Sequence, residues 1–493
     1  MGENRALKRL YAIDKEIVLL SHILGVLSWD QEVLPPAAIE ERGAQMGLLE
    51  RRIHSLETSD EMGELLAALE SVELDEIDGA LVREAKRTFL REKKLSGEFV
   101  QLFSETTTRA YSAWVNARRE DNFAEFVPVL ESIVALLKEK SAALGHTGEP
   151  YDPLLDIYEP AMRTVEVEQL FAQMKQDLLF ILDSLDTQPI EDTFLYGKFP
   201  REGQEFFIKE VLSSMGFDWD RGLLGTANHP ATTSLGSDDI RITTRYEELS
   251  VASPLFSAIH EGGHALYEMA CSSGRIKGTR LANGASLAFH ESQSRLWENM
   301  VGRSSDFWDY FYPRFKELFP LQLANVDKKA FVAAINKVEP SPIRVDADEV
   351  TYGLHIILRF ELEKALLGGS LEVKDLSEAW NTKMEELLHI KIKSNRSGVL
   401  QDIHWSMGAF GYFPTYALGN LYAAQIFAKM RGELDIPALL RGGDFVPIRE
   451  WLQAKILNHG MVYTPKELIQ RVSDSPLKST YYRDYLTKKY LER

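Results

Sequence analysis

Cysteine is nearly missing from this chain of 493 residues, where Cys271 stands alone. No intrachain disulfide can form, and no metal site can be built from thiolates. Cys271 itself reads as a small core residue. Positive charge is in deficit: 56 Lys and Arg face 74 Asp and Glu, for a formal net charge of −18. A surface of that sign repels nucleic-acid phosphates and anionic lipid, so neither is an expected partner. A bilayer-spanning run is lacking too. The apolar stretch Ile17–Trp29 is broken by His22 and falls short of the roughly 20 residues a spanning helix needs. Arg5, Lys8 and Arg9 precede it in the manner of a secretory signal, but Asp14 and Glu16 interrupt the apolar region and no small-residue cleavage site follows. The stretch is therefore expected to be an amphipathic helix and the protein cytoplasmic. Repeats, low-complexity tracts and a Pro/Gly-rich linker are also absent, which predicts one continuous body over residues 1–493.

What is present is an ordinary globular composition, with 45% hydrophobic and 26% charged residues. A chain of this length buries a large core without staples. Apolar residues recur at three- and four-residue spacing through Glu61–Leu69, Pro128–Leu144 and Val165–Leu185, which predicts helices packed on a core. Loops are expected at Gly145–Pro153, Ser272–Gly278, Lys393–Gly398 and Arg441–Asp444. One segment differs. Asp239–Tyr246 alternates with period two and is rich in Ile and Thr, so it predicts a short strand. The expected fold is mostly α, with a small β-sheet just before the segment described next.

His260-Glu261-Gly262-Gly263-His264 is an HExxH sequence. Residues four apart share a helix face, so both imidazoles can reach one ion while Glu261 acts on a water beside it. Ser253 is placed to cap this helix and Pro254 to occupy its first turn. Adjacent glycines inside a helix cost about 1 kcal/mol each relative to alanine. Gly262 and Gly263 thus suggest close approach of substrate or of a neighbouring strand. A catalytic zinc takes three protein ligands and leaves one position open. Glu291, 27 residues after His264, is a suitable third ligand on a helix over Ser286–Val301. Leu287, Leu296, Trp297 and Met300 would form that helix's buried set. Glu298, two turns along the same face, competes with Glu291.

Several motifs together resemble the carboxypeptidase Taq family of zinc metallocarboxypeptidases. They run in order: Trp29-Asp30-Gln31-Glu32, His229-Pro230, Asp239-Ile240-Arg241-Ile242-Thr243, HEGGH at 260–264, HESQSR at 290–295, Ile343-Arg344-Val345-Asp346-Ala347-Asp348, and Gly398-Val399-Leu400-Gln401-Asp402-Ile403-His404-Trp405. The family usually has a phenylalanine after the His-Pro pair, where Ala231 stands here. The resemblance implies a helical fold like that of neurolysin and angiotensin-converting enzyme, with a deep groove partly covered by the N-terminal helices. It implies a homodimer that removes single amino acids from peptide C-termini with broad specificity. It implies one Zn2+ per chain, replaceable by Co2+, and it selects Glu291 as the third ligand.

Hydrolysis also needs an oxyanion donor. His404 and Tyr416, twelve residues apart, are the candidates, and similarity to related oligopeptidases favours Tyr416 over Tyr412. An exopeptidase must hold a free carboxylate, a task that suits a guanidinium fork. Arg344 is the first candidate, with pairing to Asp346 or Asp348 as its structural alternative. Arg241 is the second, with Asp238 or Asp239 as its alternative partner. Asp402 and the aspartates near Arg344 are possible partners of a ligand histidine. Two other functions share these features: an endo-acting zinc oligopeptidase, and a helical peptide-binding scaffold.

Overall fold

The structure, a computed structural model, describes residues 5–30, 35–146, 148–186, 188–227 and 229–492. Gln31 and Glu32 of the Trp29-Asp30 motif lie outside the described residues. The fold is mostly α-helical with one small sheet. The elements that shape the site are α1 (Arg5–Asp30), α2 (Arg201–Met215), β1 (Gly222–Thr226), β2 (Thr232–Gly236), β3 (Asp239–Thr244), α3 (Ala252–Cys271), α4 (Leu287–Arg295), α5 (Tyr352–Gly368) and α6 (Pro414–Glu433). Among the described residues no helix is long and apolar enough to cross a membrane.

β3 is the expected strand, and it is central. It pairs parallel with β1 and antiparallel with β2, in the order β1-β3-β2. Its flanking strands carry weak sequence signals: Gly222 and Gly225 interrupt β1, and β2 is half-buried along most of its length. Because β3 is paired on both sides, the sheet's edges are β1 and β2, and it is β2 that touches the HExxH segment, through Thr232 and Glu261. α1 lies directly over that strand. A Cβ built on Gly25 would stand 3.1 Å from Leu235 Cδ2 and 3.4 Å from the Ser234 carbonyl oxygen. α1 is also tied to the core by the fully buried Asp14, which accepts from the Arg280 backbone N–H at 3.0 Å and from its Nε at 2.5 Å.

α3 is buried along most of its length, with Leu255, Ile259, Leu266, Met269 and Cys271 in the core. Its start differs from the expected one. The helix begins at Ala252, Val251 precedes it, and no side chain caps it, so Ser253 lies inside the first turn. α4 starts at Leu287 with Ser286 as its cap, the Ser286 Oγ accepting from the Phe289 N–H. Leu296, Trp297 and Met300 are buried as expected, but Leu287 is exposed because the first turn of α4 presents it outward. The expected single helix changes character after Arg295: Leu296–Gly302 winds as a π-helix. Two expected loops are shorter than predicted: Asp152 and Pro153 already belong to the helix Asp152–Tyr158, and Arg441 and Gly442 still belong to the helix Ile436–Gly442.

Candidate active site

α3 and α4 cross at their glycine-rich and polar faces. At Gly263 a Cβ would lie 2.7 Å from both the Gln293 carbonyl oxygen and Ser294 Cα. The close approach inferred from the paired glycines is therefore real, but the neighbour is a helix and not a strand. Gly262 instead faces α2, where Leu212 Cδ2 would be 2.6 Å from an added Cβ. On the other side of α4, Gly419 of α6 leaves room for Glu291, whose Cγ would be 2.5 Å from a Cβ there. Phe289 and Tyr422 seal the same contact, with ring centroids 4.4 Å apart. Three helices thus converge with little side-chain volume between them, and the space left is filled by donors.

Those donors are His260, His264 and Glu291, whose ligand atoms all lie within 4.8 Å of one another. Glu291 Oε2 is 3.5 Å from His260 Nε2 and 3.4 Å from His264 Nε2. Ligand atoms bonded at about 2.0–2.1 Å to one tetrahedral ion stand roughly 3.4 Å apart, so this donor set fits a single such ion. The other carboxylate oxygen of Glu291 is occupied, because Arg295 Nε donates to Oε1 at 2.7 Å. Burial alone would raise the Glu291 pKa, but Arg295 and the histidines outweigh it and hold the group well below the usual carboxylate range.

Glu298 does not join the cluster. Its Oε2 lies 2.9 Å from His260 Nδ1, the nitrogen turned away from the other donors. The wider π turn that begins at Leu296 displaces Glu298 from the face a continuous α-helix would have given it. His264 Nδ1 meets His290 Nδ1 at 2.5 Å, and His290 Nε2 meets Glu268 Oε1 at 2.7 Å.

Glu261 is buried and accepts a 2.6 Å hydrogen bond from Thr232 Oγ1 on β2. Burial pushes its carboxyl up from the ordinary value, while His260 and Thr232 pull it back. Ala231, next to Thr232, exchanges backbone contacts with Thr243: its N–H donates to Thr243 Oγ1 at 3.0 Å and its carbonyl accepts from the Thr243 N–H at 2.9 Å.

Tyr416 and His404 meet, with Tyr416 Oη 3.2 Å from His404 Nε2. Burial lowers the His404 pKa to about 4, so the ring is neutral at pH 7. Burial raises that of Tyr416 well above its ordinary value. The Arg344 guanidinium lies 5.1 Å from the Tyr416 ring centroid and is itself buried. Neither Asp346 nor Asp348 is its partner. Arg344 Nε and Nη2 donate to Asp402 Oδ1 at 3.0 and 2.8 Å, and Nη1 donates to Tyr352 Oη at 3.2 Å. Asp402 therefore serves arginines and no ligand histidine, since its Oδ2 accepts from Arg359 Nε at 2.7 Å. Burial opposes its ionisation, but Arg359 and Arg344 prevail and depress its pKa far below the usual range.

Arg241 sits elsewhere. Its fork grips Asp239 at 2.8 Å through both Nε and Nη2, and its guanidinium lies 5.4 Å from the Trp29 ring centroid. Sequence reasoning assigned no role to Arg295, Arg359, Thr232 or Tyr352. Only Arg295 left a signal, its four-residue offset from Glu291 within HESQSR. Thr232 and Arg359 lie 29 and 43 residues from their partners, and Tyr352, only eight residues from Arg344, carries no motif that marks the contact. A polar cavity of about 520 Å³ opens beside the cluster, lined in part by Arg295, Glu298, Tyr352 and Asn420.

The sequence profile of the Carboxypeptidase Taq (M32) metallopeptidases matches residues 9–490. The chain belongs to that family. It is 39% identical to thermostable carboxypeptidase 1 of Thermus thermophilus, with 99% of each chain covered. It is 38% identical to thermostable carboxypeptidase 1 of Pyrococcus furiosus, again over 99% of each. The crystal structure of an M32 carboxypeptidase from Deinococcus radiodurans superposes with a TM-score of 0.96 at 36% identity, covering 99% of both chains. This M32 chain is accordingly a metallocarboxypeptidase, a hydrolase acting on peptide bonds. A metal ion belongs to that chemistry, and the His260-His264-Glu291 cluster is the donor set that suits it.

Proposed function

We propose that this enzyme is a zinc carboxypeptidase of broad specificity that removes single amino acids from the free C-termini of peptides. His260, His264 and Glu291 would hold the ion. The chemistry zinc supplies when bound there is polarisation of the scissile carbonyl and a water of lowered pKa. Glu261, steadied by Thr232, takes the proton of the attacking water and delivers it to the leaving amine. Tyr416 keeps its proton at neutral pH and donates it in a hydrogen bond to the developing oxyanion. The neutral His404 holds the Tyr416 hydroxyl through Nε2.

One observation carries the exopeptidase reading: two buried guanidiniums, Arg344 and Arg359, share the single carboxylate of Asp402 beside Tyr416. Among the described residues, one formal positive charge is left without a partner carboxylate. A substrate C-terminus supplies one, and Arg344 is the arginine that also reaches Tyr352 and Tyr416. An endo-acting enzyme has no need of this charge. Arg241, at the sheet and packed on Trp29, is assigned a supporting part in holding the substrate, with the β2 edge available for backbone pairing. The reading also carries one functional body over residues 1–493, in which the N-terminal helices help cover a groove, together with a homodimer and a cytoplasmic setting. The buried free thiol of Cys271 is compatible with the last of these. Co2+ is expected to replace Zn2+ with retention of activity.

The test compares a short peptide with its C-terminally amidated twin, following products over time. Stepwise loss of terminal residues from the free peptide alone is the expected result. Equal cleavage of both peptides would eliminate the carboxylate clamp.

A further inference from the structure

The two histidines of the cluster are supported differently. His260 Nδ1 faces a carboxylate, that of Glu298, whose other oxygen lies 3.3 Å from Arg303 Nη2. His264 Nδ1 faces a second imidazole, and only behind that does a carboxylate appear. We propose that His290 and Glu268 form a positioning relay that fixes the tautomer and ring orientation of His264.

The proton arrangement follows from chemistry. When His264 Nε2 offers its lone pair to an ion, its proton must sit on Nδ1. The partner at 2.5 Å, His290 Nδ1, must then accept. A neutral His290 that accepts at Nδ1 carries its proton on Nε2, and Glu268 Oε1 stands 2.7 Å from that nitrogen. Every link therefore has one donor and one acceptor, with a single self-consistent direction from His264 to Glu268. No proton is transferred and no charge needs to move.

The geometry gives this relay a mechanical role as well. Glu268 lies one turn beyond His264 on α3, so both ends of the relay belong to one helix and its middle belongs to α4. His290 directly precedes Glu291, so the relay also fixes where α4 presents its carboxylate. The His290 ring has little freedom. The Tyr267 ring centroid is 5.2 Å away, and a Cβ on Gly284 would come within 2.8 Å of His290 Cδ2. That space exists because residue 284 is glycine.

This inference rests on the metal-site reading above, so its test reads metal affinity directly. The protein is titrated with Zn2+ against a competing chelator as wild type, His290→Phe, His290→Asn and Glu268→Gln. Loss of such a support typically weakens metal binding about 10–100-fold. His290→Phe keeps a ring but has no acceptor, and that loss is expected for it. His290→Asn presents an acceptor oxygen near the Nδ1 position, and Glu268→Gln keeps an acceptor for His290 Nε2, so both should remain within about threefold of wild type. A merely structural role would instead penalise Phe and Asn alike. An independent readout is imidazole 15N NMR of the Zn2+-loaded wild type, which needs no variant to fold. It should show His290 protonated on Nε2 with a bare Nδ1. Wild-type affinity in His290→Phe, or a proton on His290 Nδ1, would overturn the relay alone. Failure of the wild type to bind Zn2+ would overturn the metal site and the relay with it.

Discussion

Thr232 donates to Glu261, and that one hydrogen bond links a half-exposed strand to the proposed base. Glu261→Gln keeps the shape and removes the base. Turnover should fall about 10³-fold, while Zn2+ affinity stays within a few-fold of wild type. Full activity in Glu261→Gln, measured as kcat on a free peptide, would sink the assigned role. Thr232→Val makes a subtler change. Thr232 stabilises the charged form of Glu261, so losing it raises the Glu261 pKa further from its ordinary value. The base acts deprotonated, so the acidic limb of the kcat/KM profile must move to higher pH. A limb that stays put, or moves down, contradicts the contact. At this scale much was legible in sequence. The spacing of His260, Glu261 and His264 is a local helical relation, and it placed two imidazoles on one face. The partner of Arg344 was not legible. Asp346 and Asp348 are near in the chain, yet Asp402, 58 residues away, takes the guanidinium.

Helix packing explains why α3 carries two glycines where alanine would make a better helix. The two positions are not equivalent. Gly263 faces the backbone of α4 at Gln293 and Ser294, which cannot yield without moving Glu291. Gly263→Ala should destabilise the fold by about 1–3 kcal/mol through overpacking. It should also weaken metal binding, both readable by thermal melting with and without Zn2+. Gly432, near the end of α6, has nothing within 4 Å of an added Cβ. Gly432→Ala should stabilise by about 0.5–1 kcal/mol, as helix propensity predicts. Equal melting shifts for the two variants would refute the packing argument. The elements themselves were mostly readable: the long amphipathic helices and β3 appear where periodicity put them. The breaks in periodicity were not. β1 and β2 are short and glycine-containing, and the π turn at Leu296–Gly302 has no compositional mark.

Across the whole molecule, buried carboxyls tie distant segments together. Glu363 of α5 is fully buried and accepts from Tyr151 Oη at 2.6 Å, Trp405 Nε1 at 2.9 Å and the Gly411 N–H at 3.0 Å. Burial raises its pKa from 4.5 to about 7 despite these donors. The sign of its effect on stability follows. Between pH 4.5 and 7 the unfolded chain releases this proton and the folded chain retains it, so stability falls as pH rises through that window. The loss amounts to about 3 kcal/mol for this one group. Glu159, also fully buried, accepts from Tyr422 Oη and is raised to about 7 chiefly by burial, so it acts in the same direction. Glu363→Gln removes one titration. Measured by denaturant unfolding, the difference between variant and wild type should move by about 3 kcal/mol in favour of the variant from pH 4.5 to 7.5. A difference independent of pH would refute this account.

The sequence by itself determined the helical class, the spacing of the HExxH segment and, through the resemblance carried by seven ordered motifs, the family. The first two follow from relations inside single elements, where spacing along the chain is spacing in space, and the family follows from the order of motifs along the whole chain. Only the tertiary structure decided which atoms meet between elements. It turned Glu291 toward the two histidines and Glu298 behind one of them. It brought Asp402 between two arginines, and it set His290 against His264. Such contacts depend on how closely helices approach and how they are rotated about one another. That is governed by a few glycines and one π turn, whose consequences appear only when the pieces are packed.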